Sequence, residues 1–62
     1  MDKKIISRVI KEANYIIDTN KTIREVSIIF GVSKSTVHND MRKRLVLLDS
    51  ILYEKVSNVL EY

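Results

Sequence analysis

Apolar residues recur along this chain at three- and four-residue spacings in three stretches, and the polar breaks between them fall at residues that start or stop helices. In the first stretch Ile5, Ile6, Val9, Ile10, Ala13, Ile16 and Ile17 form one broad stripe about four turns long, and Asp2 stands where it can cap the helix. Lys3, Lys4, Arg8, Lys11 and Glu12 lie off the stripe and are expected on a solvated face. Solubility is the ordinary use of such a face; Lys3, Lys4 or Arg8 could also touch a phosphate. Asp18-Thr19-Asn20-Lys21 then interrupts the pattern with turn-prone residues.

The second stretch opens on Thr22 followed three residues later by Glu25, the spacing of a capping box: hydroxyl to the Glu25 N–H, carboxylate back to the Thr22 N–H. A helix therefore starts at Ile23. At ~100° per residue Ile23, Val26, Ser27 and Phe30 share one sector, with Ser27 small enough to let two helices cross closely. Gly31, the chain's single glycine, ends this helix in the left-handed conformation that costs glycine no Cβ clash. Val32 is expected to plug the angle of the turn. Ser33 is the next N-cap, aimed at the N–H groups of Ser35 or Thr36.

The helix that follows, about 34–44, divides cleanly. Met41 and Leu45 lie ~40° and ~80° from Val37, all three inward, whereas Ser35, His38, Asn39 and Arg42 fall ~100° to ~200° away, outward. A short helix, a glycine turn and a second helix with a polar outer face make a helix-turn-helix, spanning 22–45. Beyond it run Leu45-Val46-Leu47-Leu48, then Asp49 as the cap of a last helix, about 50–61, carrying Leu52, Val56, Val59 and Leu60 inward, with Tyr53 and Tyr62 covering its edges. No proline divides this helix from its predecessor, so the two either separate near Asp49 or run together through Leu45, Leu48 and Leu52. The prediction is an all-α, small three- to four-helix bundle, a single domain over 1–62.

Composition narrows what such a bundle can do. Sixty-two residues leave little room for a catalytic pocket inside a core. There is no cysteine for a disulfide or a thiolate zinc site. His38 is the single histidine, with no second ligand at metal spacing; it diverges from Asp40, two residues on along the helix. Asp40 and Glu25 are two carboxylates on different helices, not a visible pair, and Ser33, Ser35 and Thr36 lack a base. We therefore expect no enzyme activity, cofactor, metal or small-molecule ligand. The longest apolar run, Leu45 to Leu48, excludes a membrane span, and without a signal-peptide hydrophobic region the expected location is the cytoplasm, at the nucleoid.

Charge then supplies a partner. The net charge is +3, and its distribution is uneven: residues 1–21 carry +2, 22–32 zero, 33–44 +3 and 45–62 −2. Basic density peaks on the second helix of the motif, where double-stranded DNA would dock, leaving the acidic last helix on the far side, against the first. Lys34 and Lys43 suit phosphate, Arg42 phosphate or the O6 and N7 of guanine, and Asn39 the edge of adenine. Ser33 and Ser35 suit a phosphate at the helix N-terminus; Thr36 points sideways beside them. A polar face with three bases is usually just solvated, but a bland bundle has no need of two caps around one glycine.

The stretch Thr22–Leu45, above all Phe30-Gly31-Val32-Ser33-Lys34-Ser35-Thr36-Val37-His38 with Asp40, resembles the stage III sporulation protein D family of bacterial transcriptional regulators. The likeness extends to Tyr15-Ile16, Arg44-Leu45 and, more faintly, Val56, Val59, Leu60 and Tyr62. It implies sequence-specific DNA binding through a recognition helix carrying Lys34, Ser35, His38 and Arg42. Asn39 departs from the lysine expected in the family. Val46-Leu47-Leu48-Asp49-Ser50 replaces a proline-containing linker, and the basic extension expected beyond the position of Tyr62 does not follow. The chain thus reads as a regulator of sporulation or as a paralogue with other targets.

Some apolar residues exceed what this fold needs. Ile28 and Ile29 lie ~140° and ~240° around their helix from Ile23, and Leu47 and Leu48 are more apolar than a linker requires. Either Ile29 and Leu48 close the core against the last helix, or the four form a homodimer or protein-interaction surface, the alternative function for the domain.

Overall fold

The computed structural model describes residues 1–60, and every regular element among them is helical. Helix α1 runs Lys3–Thr19. Asp2 caps it as expected, one carboxylate oxygen accepting the Lys4 N–H at 2.7 Å. Asn20 ends it in the left-handed region at φ 57°, its N–H donating to the Ile16 carbonyl. Asparagine tolerates that conformation better than most residues that carry a Cβ. The turn-prone segment thus contributes one decisive residue, and the helix itself reaches through Asp18 and Thr19.

Helix α2 spans Ile23–Phe30. Both arms of the capping box are made: Glu25 N–H to Thr22 Oγ1 at 3.2 Å and Thr22 N–H to Glu25 Oε1 at 3.1 Å. Gly31 follows at φ 67°, as the spacing requires. A Cβ at Gly31 would meet nothing within 4 Å, so backbone conformation alone selects glycine there. The Val32 N–H donates to the Ser27 carbonyl at 3.0 Å, closing the turn. Val32 is half-buried against the core rather than fully enclosed.

Helix α3, Lys34–Asn39, starts at Ser33, whose Oγ accepts the Thr36 N–H at 3.0 Å. The chain then stays right-handed through a π-helical turn, Asp40–Arg44, into α4, Leu45–Leu48. The Leu45 N–H donates to the carbonyl of Asp40, five residues back. A π turn winds fewer degrees per residue, which carries Leu45 round toward Val37. These three pieces form one rod, which breaks where Asp49 adopts extended φ −159°, ψ 99°. Asp49 caps α5, Ser50–Leu60, by accepting the Leu52 N–H at 3.0 Å. The two last helices of the sequence are therefore separate, and the helical rod that begins at Lys34 reaches four residues beyond Arg44. Glu61 and Tyr62 lie outside the described residues, and with them the expected role of Tyr62.

The core is built where the rod crosses α1 and α5. Val9, Ala13 and Ile16 of α1, Val26 of α2, Val37, Met41 and Leu45 of the rod, and Val56 of α5 are all fully buried. Each element contributes its inward stripe, and α5 packs against α1. Ser27 is buried at the α2 crossing, with its hydroxyl donating to the Arg24 carbonyl at 2.6 Å so that no polar group is stranded. Tyr15 meets Phe30 edge to face at a centroid distance of 5.9 Å.

Three side chains depart from the sequence expectation. Glu12, assigned to the solvated face of α1, is fully buried. It lies three residues after Val9 and four before Ile16, on the stripe itself, and what misplaced it was its residue type. Arg8, expected in solvent, is half-buried and reaches across to the rod. Of the surplus apolar residues, Leu48 packs against the core while Ile29 stays exposed and closes nothing.

Candidate nucleic-acid interface

The outward side of the rod carries the side chains the sequence assigned to it. Ser35, His38, Asn39, Arg42 and Lys43 are exposed, on the far side from buried Val37, Met41 and Leu45. Lys34, Ser35, His38 and Asn39 come together with Ile23 around one shallow depression of about 500 Å³. Arg42 and Lys43 stand further along, on the π turn. Ser33 is exposed and Thr36 half-buried, and their hydroxyls are bonded to each other at 2.7 Å. Both therefore serve the helix cap first, and either hydroxyl retains capacity for one further contact.

One acid lies between residues 33 and 44, and it is withdrawn from that surface. Asp40 is fully buried. Its Oδ2 accepts from Arg8 Nε at 3.0 Å, and its Oδ1 from Arg8 Nη2 at 3.2 Å and Arg44 Nη1 at 2.7 Å. Burial by itself pushes the Asp40 carboxyl upward, but the hydrogen bonds from Arg8 and from Arg44 outweigh it and hold the group below its ordinary range. Arg8 is raised in turn, chiefly by its bond to Asp40. The exposed face of α3 and the π turn is left with bases, hydroxyls, an amide and an imidazole, and no carboxylate. A polyanion meets no repulsive group there.

This cluster is what the sequence did not reveal. Two hints were present: Arg8–Glu12 and Asp40–Arg44 are each four residues apart on a helix, the separation at which side chains meet. Nothing in the sequence joins the two pairs, because Arg8 and Asp40 are 32 residues apart along the chain. The π turn, which brings Asp40 and Arg44 to α1, was equally hidden. Lys3, Lys4 and Lys11 do remain exposed on α1, lining a second open depression with Ser7, Arg8 and Phe30.

Elsewhere the chemistry is sparse. Among the described residues no group of three histidine, cysteine or acidic side chains is placed to hold a metal ion, and no helix is long and apolar enough to cross a membrane.

Comparison with known proteins agrees with the geometry. The family model for stage III sporulation protein D matches residues 2–62. The stage III sporulation protein D of Bacillus subtilis (strain 168) is 44% identical over 62 residues, which cover 100% of this chain and 67% of that protein. No solved structure matches. On the strength of a family match over nearly its whole length, this chain belongs to the stage III sporulation protein D family, a family of DNA-binding transcription regulators.

Proposed function

We propose that residues 1–62 act as one DNA-binding domain that reads sequence by laying the outer face of α3 and the π turn in the major groove. The observation that carries this is the acid-free exposed face set back to back with a fully buried one, the single acid between residues 33 and 44 being turned inward. Lys34, Ser33 and Ser35 at the start of the helix hold one strand's phosphates, with free backbone N–H groups behind them. Asn39 pairs with adenine, and Arg42 with guanine or a phosphate. His38 lies between them at the base edges, Thr36 supports the cap, and Lys43 meets the phosphates at the far end of the helix. Nucleoid association follows from such binding.

Salt-dependent binding to duplex DNA tests this directly. Affinity should fall steeply and linearly on a logarithmic salt scale, and Arg42→Ala should weaken a selected site by about 1–3 kcal/mol if it reads guanine. An Arg42→Ala protein with unchanged affinity and preference removes the helix from the role of reader.

A second reading is favoured by the apolar residues left in water. Ile28 is 74% and Leu47 79% exposed, and Ile29 and Ile51 are exposed as well. A homodimer or partner surface would draw on these residues and not on Leu48, and a dimer would present two recognition helices to two half-sites. Sedimentation as a monomer at tens of micromolar would remove the homodimer and leave the first reading intact.

A further inference from the structure

Glu12 is the side chain least suited to its place. It is fully buried, and neither of its carboxylate oxygens accepts a hydrogen bond. Arg8 Nε is 3.9 Å from Oε2, too long for a hydrogen bond, because the Arg8 fork is directed at Asp40. The same Arg8 Nε is 3.0 Å from Asp40 Oδ2, so the two buried carboxylates flank one guanidinium nitrogen. An ionised Glu12 would have no donor and would face a second negative charge in a low-dielectric interior. A proton on Glu12 removes that charge and supplies Asp40 with one more donor.

The surrounding charges bear on this choice. Arg8 comes from α1, and Asp40 and Arg44 from the π turn. Helix α4 carries no ionisable group, Arg24, Glu25, Glu54 and Lys55 of α2 and α5 are exposed, and Tyr53 is half-buried. Two guanidiniums could balance two carboxylates in charge, but both are hydrogen-bonded to Asp40, and Glu12 is left with the charge of Arg8 at 3.9 Å and no hydrogen bond. Burial first, then the Asp40 bond and charge, push Glu12 up to about 8.

We propose that Glu12 and Asp40 share one proton, Glu12 donating it to Asp40, and that this bond latches the π turn of the recognition helix onto α1. Glu12 is then a positioning residue for DNA binding, and in this respect the proposal rests on the reading above. Losing the proton sets two carboxylates against each other and draws Arg8 between them. Asp40 loosens, and with it the turn that bears Arg42 and Lys43.

The test is duplex affinity at fixed salt from about pH 7 to about 9.5, with carbon NMR of the Glu12 carboxyl in the free protein. Wild type should weaken at least about threefold across that range. Glu12→Gln, whose amide donates to Asp40 and does not titrate, should match wild type at pH 7 and stay flat. Any pH dependence arising elsewhere in the protein is common to both and is controlled by this variant. Equal pH profiles for the two proteins, or a Glu12 midpoint in the ordinary range near 4 to 5, overturn the proposal. Should wild type bind no duplex at pH 7, the DNA reading fails and the latch's role in it falls too, while the Glu12 midpoint still decides the shared proton.

Discussion

Two junctions fix the rod formed by α3, the π turn and α4, and they are built on opposite principles. At its start, the turn from α2 is held by groups close in sequence: the left-handed Gly31, the Val32 N–H bonded to the Ser27 carbonyl, and the Ser33 cap. At its π turn, the contact with α1 is held by buried charge, with Arg8, Glu12, Asp40 and Arg44 brought together from distant parts of the chain. The first junction sets the local course of the backbone and tolerates loss of any one hydrogen bond. The second sets where the helix lies on the body of the protein, and its parts depend on one another.

Breaking the buried junction should therefore cost most. Arg8→Met leaves Asp40 buried with Arg44 as its remaining guanidinium, and should lower stability by about 3 kcal/mol in urea unfolding, toward the low end for a broken buried pair because Arg8 is partly exposed. The same junction should show in the pH dependence of the melting temperature. Glu12 is raised in the folded protein, so its contribution is full below its unfolded value near 4.5 and disappears as pH rises through about 8. Asp40 is lowered, so its contribution is present above its ordinary value and disappears as pH falls. Thermal melts should peak between these limits and decline toward pH 9; Glu12→Gln should abolish the alkaline decline, and a decline that persists in that variant would assign it elsewhere.

The exposed junction should yield smaller, separable effects. Gly31→Ala must place a Cβ in the left-handed region and should cost about 1–2 kcal/mol, by strain alone since the space around it is open. Gly31→Asn should recover part of that loss. Ser33→Ala should cost about 1 kcal/mol. Ser33→Ala combined with Arg8→Met should be additive if the two junctions are independent; a large coupling energy would merge them into one unit.

The same contrast explains what could be read from the residues. Asp2, Thr22, Gly31, Ser33 and Asp49 act on backbone groups within three or four positions, so spacing alone placed them. Val37 and Met41 followed from period, and so did the exposure of Ser35, His38 and Asn39. Glu12 had the period of a core residue and the chemistry of a surface one, and chemistry misled because the partners that bury it are not local. The end of the rod at Asp49 was equally undecided, since a continuous apolar pattern through Leu48 and Leu52 suits one helix or two. That the exposed face meets DNA was an inference from charge and resemblance, and family membership supports DNA binding in general.

Selection of bound sequences from a random duplex pool, run side by side for wild type and Asn39→Ala at one salt concentration, tests the outward face of α3 most directly. A defined motif for wild type, with preference relaxed at a single adenine position in the variant, is the predicted result. No enrichment by wild type, or the same motif from both proteins together with an unaltered one from Arg42→Ala, would contradict it.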